Sequence, residues 1–161
     1  MFTLGEIIDL AIRIEKNGES TYRKAQKEVS SSKVSAMLEW LADDEAKHEK
    51  WFTELRENVD EKIEDPILEK MGKEILQSVL GDHTFSMNEV DFSSLDNIKG
   101  LLEVSLEFEK DTLIFYEMIK GFIEDENVLS GIDKIIEEEN SHVKNLEEFL
   151  KKGEILPLSS R

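Results

Sequence analysis

The sequence predicts an all-α protein: a four-helix bundle built from two repeated helical hairpins, with one long crossover between helices two and three. Three observations carry this expectation. Apolar residues recur three and four apart in four segments, the period of helices that bury one face. Glu, Lys, Leu and Ile dominate, with two prolines in 161 residues and 7% aromatics, a mix that favours helix over strand. Finally, the second half of the chain repeats the first at an offset of 94 residues.

In the first segment the apolar stripe runs Leu4, Ile7, Ile8, Ala11, Ile14, Gly18, Tyr22, Ala25, Val29. Ser30, Ser31 and Ser32 then break it, and a serine there can cap the next helix. The second stripe reads Val34, Leu38, Leu41, Glu45, His48, Phe52, Leu55, Val59. Asp65-Pro66 reads as a cap and first turn of a short extra helix ending near Gly81, and Ser94 or Asp96 can start the third long helix. Its stripe is Ile98, Leu101, Leu102, Ser105, Phe108, Thr112, Tyr116, Ile119, Phe122. Residues 124–127 separate it from the fourth, with Asn127 as the expected cap, and the last stripe is Val128, Ile132, Ile135, Glu139, His142, Leu146, Phe149. The offset of 94 carries the first seven positions of the second stripe onto all seven of the fourth.

The connection over about residues 60–94 is too long for a tight hairpin. It can travel the height of helices of about 25 residues, roughly 40 Å. One such crossover makes the bundle ferritin-like, and the whole chain, 1–161, reads as a single domain.

A net charge of −17 argues against nucleic acid and anionic membranes as partners. With no cysteine there is no disulfide framework, thiolate nucleophile or iron–sulfur site. No run has the length of a membrane span or the form of a secretory leader, so a soluble cytoplasmic protein is expected.

The residues that bear chemistry interrupt the apolar stripes. Two Glu-x-x-His pairs, Glu45/His48 and Glu139/His142, each begin 30 residues after a lone glutamate, Glu15 or Glu109. Glu15 and Glu45 are equidistant from the serine turn, and Glu109 and Glu139 from residue 124, so each pair comes level about 22 Å from its turn. Within a Glu-x-x-His pair both side chains share one helical face. Four carboxylates and two imidazoles at mid-bundle are the ligand set of a two-metal centre, and their charge balances two divalent cations. Hard oxygen donors with one imidazole per ion suit iron or manganese, with zinc also possible.

Tyr22 and Tyr116 follow Glu15 and Glu109 by seven residues on nearly the same face. Each is either a core aromatic with a satisfied hydroxyl or a donor to a ligand carboxylate near the metals. Asp44 and Glu138 immediately precede the Glu-x-x-His glutamates and could orient a histidine. Glu19, Glu107 and Asp111 are expected either in solvent or behind the metal ligands, Trp40 and Trp51 in packing, and His83 exposed in the crossover. Met37, Met71, Met87 and Met118 show no ligand pattern.

The stretches IEKNGESTY, DDEAKH, FEKDTLIFY and EEENSH resemble the rubrerythrin branch of the ferritin-like di-iron carboxylate proteins, a resemblance that spans residues 3–152. It implies metal ligands at Glu15, Glu45, His48, Glu109, Glu139 and His142, tyrosines near the carboxylates at Tyr22 and Tyr116, and two iron ions as cofactor. It also implies an oxidoreductase that reduces hydrogen peroxide or reacts with dioxygen. Rubrerythrins often carry a cysteine-ligated rubredoxin domain that this chain lacks, so electrons would come from a separate donor protein. Their extra glutamate on the third helix has no counterpart, since Thr112 stands three residues beyond Glu109. Bacterioferritins place a haem methionine where this chain has Ala46, so no haem is expected. A homo-oligomer, a dimer, is expected. The alternatives are ferrous-iron oxidation and storage, disfavoured by the short tail after Gly153, a manganese catalase, or a structural bundle with a vestigial site.

Overall fold

In a computed structural model of the protein, residues 4–59 and 98–152 are described. They form four long helices: α1 (Leu4–Glu28), α2 (Ser32–Glu57), α3 (Ile98–Ile119) and α4 (Glu126–Lys152). A single 3₁₀ turn, Lys120–Phe122, extends α3, and no strand occurs among the described residues. The fold is all-helical, as expected. The crossover, its extra helix, His83, Met71, Met87 and the proposed starts at Ser94 or Asp96 lie outside the described residues.

Helices α1 and α2 pack together as one hairpin and α3 and α4 as the other, while α2 also touches α4. The stripes face inward: Ile8, Ile14, Leu38, Leu41, Leu102, Ile119, Ile132 and Leu146 are all buried. Stripe residues at the bundle ends, among them Leu4, Val29, Val59 and Phe149, are only partly covered. Close approach of α2 and α4 depends on Gly131, where an added Cβ would stand 2.3 Å from Cζ2 of Trp51. Between α1 and α2, Arg23 pairs with Asp43 at 2.9 Å and Arg56 with Asp9 at 3.0 Å. Half-exposed pairs of this kind contribute roughly 0–1 kcal/mol each, so apolar burial, not charge, holds the hairpin.

The turns are closed by side chains. Ser31 lies in the extended region and its hydroxyl accepts from the Val34 N–H at 3.3 Å, capping α2 as the triple serine predicts. Ser31→Ala should cost about 1 kcal/mol and lower the melting temperature by about 2–4 °C, measured by thermal denaturation. At the other turn the expectation of Asn127 as cap is corrected. Asp125 accepts from the N–H groups of Asn127, at 2.8 Å, and Val128, at 3.2 Å. Its carboxylate satisfies two orphan donors at once, so α4 starts at Glu126 and Asn127 sits inside the first turn.

No described helix is long and apolar enough to cross a membrane.

Candidate metal centre

Each hairpin delivers three chemistry-bearing side chains to the bundle interior. Glu15 comes from α1, Glu45 and His48 from α2, Glu109 from α3, and Glu139 and His142 from α4. Five of the six are fully buried, and His48 is 2% exposed. One ligand atom from each of Glu15, Glu45, His48 and Glu139 lies within 4.8 Å of the others. The same holds for Glu45, Glu109, Glu139 and His142. The two clusters overlap at Glu45 and Glu139, and the imidazole rings lie 6.2 Å apart, 26° from parallel. All six residues singled out by spacing therefore converge.

The ring nitrogens divide the work. Nδ1 of His48 and of His142 both face Glu139, at 2.9 and 3.1 Å. Their Nε2 atoms point outward, His48 to Glu138 and His142 to Asp44, each at 2.9 Å. Asp44 and Glu138 do orient histidines, but each holds the one on the opposite hairpin. The tyrosines cross over in the same way. The Tyr22 hydroxyl donates to Glu109 at 2.6 Å, and the Tyr116 hydroxyl donates to Glu15. Of the other charged residues near the seam, Glu19 pairs with Arg23 at 3.0 Å and Glu107 is exposed.

Burying so many carboxylates together perturbs their protonation. Burial, then the negative charge of Glu139, pushes Glu45 and Glu109 well above the ordinary carboxylate value of 4.5. Burial would also raise Glu139, but the positive His142, the neighbouring Glu109 carboxyl and hydrogen bonds from both histidines hold it well below that value. For the histidines burial works downward, yet the surrounding carboxylates outweigh it and hold both well above 6.5. Burial, reinforced by the nearby carboxylates, pushes both tyrosines well up, so they stay protonated donors. Protons thus occupy a pocket of negative charge that cations would neutralise better.

Four oxygens mark where those cations fit. Glu15 Oε2, both oxygens of Glu45 and Glu109 Oε2 are buried with no hydrogen-bond partner. Leaving a buried carboxyl oxygen without a hydrogen bond is expensive, and a metal ion satisfies it directly. The donor set, oxygen-rich with one imidazole in each cluster, suits a pair of divalent ions. Glutamates 15, 45, 109 and 139 with His48 and His142 would hold them.

Comparison with known proteins agrees with this geometry. The rubrerythrin family model matches residues 6–150. The chain belongs to the rubrerythrin family. A crystal structure from Thermotoga maritima, described as a ferritin-like diiron-carboxylate protein, shares the fold with a TM-score of 0.69 at 20% identity. The alignment covers 95% of this chain and 97% of that one. No curated protein matches the chain.

Two neighbours of the centre were not singled out for it by sequence. Trp40 sets its ring against that of His142, centroids 5.0 Å apart at 80°. Gly18 leaves room for the shared Glu45, because a Cβ there would come within 2.7 Å of Oε2. The repeat places Thr112 where α1 has Gly18, and its hydroxyl donates to the Phe108 carbonyl at 2.9 Å. Thr112 is thus spent on its own helix, consistent with the missing extra glutamate.

Proposed function

We propose that the protein is a metal-dependent oxidoreductase whose di-iron centre reduces hydrogen peroxide or reacts with dioxygen, with electrons from a separate donor protein. The observation that carries the reading is the pair of overlapping clusters sharing Glu45 and Glu139. Iron and manganese suit the donors and change oxidation state, whereas zinc suits them but does not. A bound pair of iron ions would supply the two electrons that reduction of a peroxide takes. The chain does the rest. Its carboxylates neutralise the ions, and Tyr22 and Tyr116 hold Glu109 and Glu15 by protonated hydroxyls. The six candidate ligands are themselves buried, which keeps bulk water from them.

Protein reconstituted with ferrous iron should consume hydrogen peroxide, and Glu45→Ala should slow this by at least about 10–100-fold, the loss typical of disturbing residues that only support a metal site. Stopped-flow measurement of peroxide loss under both conditions decides it. Equal rates for wild type and variant would defeat the proposal.

A further inference from the structure

The 94-residue repeat relates every candidate ligand and both tyrosines, but it fails at neighbours of the centre: at Gly18, which corresponds to Thr112, and at three positions around the histidines. Trp40 corresponds to Lys134, Asp44 to Glu138 and Lys47 to Ser141. On the His142 side Trp40 is 8% exposed and lies edge-on to the ring, and Asp44 is 7% exposed and bonded to Nε2. Lys47 sits over Asp44, 3.7 Å from its Oδ1. On the His48 side the Nε2 partner is Glu138, whose side chain is one-third exposed at 33%. Lys134, one turn before it, is exposed and its charge favours ionised Glu138, and Ser141 is exposed as well. Each side thus carries one lysine, so charge does not separate them. What separates them is an indole and a short buried carboxylate on one side only.

We propose that ions enter and leave the centre from the His48 side, so that the position held by Glu15, Glu45, His48 and Glu139 exchanges first. The position held by Glu45, Glu109, Glu139 and His142 then keeps its ion longer. This rests on reading the cluster as a two-metal centre. An ion leaves when water reaches it and its ligands turn away. His48 can turn, because the carboxylate anchoring its outer nitrogen is long and already wet. Turning His142 means displacing Trp40 from apolar packing and drawing Asp44 out of a buried hydrogen bond, both of which cost free energy.

The test uses the protein loaded with two cobalt(II) ions, followed by its visible absorption after addition of excess EDTA. Wild type should lose cobalt in two phases of similar amplitude, with rates at least about tenfold apart, the ratio that a 1.4 kcal/mol barrier difference gives. Glu15→Gln, which touches only the His48 position, should remove the fast phase. Lys134→Trp should slow the fast phase, and Trp40→Lys should speed the slow one. Trp40→Phe is the milder variant should Trp40→Lys fail to fold, with a smaller change in the same direction. A single phase from protein holding two ions, or a fast phase unaffected by Lys134→Trp, overturns this proposal while leaving the two-metal reading intact. Failure to bind any cobalt overturns both.

Discussion

Adding manganese or ferrous ion to metal-free protein should raise its melting temperature by about 10–20 °C, and Glu139→Gln should remove nearly all of that gain. The magnitude follows from mass action. A site filled at about 100 times its dissociation constant adds about 2.7 kcal/mol, so two independent sites add roughly 5 kcal/mol. For a chain of this length each kcal/mol moves the midpoint by about 2–4 °C. Glu139 is the sharpest single probe because it belongs to both clusters and accepts from both histidines. Glutamine keeps its volume and removes its charge. Glu15 belongs to one cluster only, so Glu15→Gln should keep about half the gain. Differential scanning calorimetry, with and without metal, measures all three proteins. An unchanged midpoint in wild type would mean that the carboxylates do not hold ions and that the bundle is structural. A full gain in Glu139→Gln would place the ions elsewhere.

The site could be read from sequence because its cost is visible there. A glutamate in an apolar stripe needs a compensating partner, and four of them at repeated spacing point to one shared solution. Helical periodicity then fixes which face each residue occupies, which is why Glu15, Glu45, His48, Glu109, Glu139 and His142 could be chosen together. Periodicity does not fix how one hairpin is rotated against the other. That rotation decides that Asp44 holds His142 and not His48, and that Tyr22 reaches Glu109 and not Glu15. Trp40 was illegible for the same reason. It lies off the stripe of α2, and only the placement of α4 turns a packing residue into a neighbour of His142. The cap of α4 failed more locally. Asp125 and Asn127 are both good caps by type, and backbone geometry over two residues chooses between them.

Metal-free protein should also become less stable as pH rises from about 7 to 9, above the ordinary histidine value, and saturating manganese should abolish that slope. Glu45 and Glu109, held above 4.5 in the folded state, keep protons that the unfolded chain has already released. Their contribution is full below 4.5 and is lost as pH climbs through their raised values. His48 and His142 behave alike: their contribution is full below 6.5 and is lost as pH rises through the folded values above it. Glu139 and Glu138, held below 4.5, act in the opposite sense, but their effect is confined to acid. In the window from about 7 to 9 the folded state therefore binds more protons than the unfolded one. Stability falls by about 1.4 kcal/mol per pH unit for each extra proton held, or about 3–6 °C in melting temperature. Metal ions replace those protons, so the loaded protein lacks the excess and its midpoint stays level while metal is in large excess. Glu45→Gln removes one of the groups involved and should flatten the metal-free slope. Thermal melts at several pH values in EDTA and in manganese give both slopes. A metal-free midpoint that rises with pH would show that the buried carboxylates are ionised without cost, and the charge argument for a two-ion centre would fall with it.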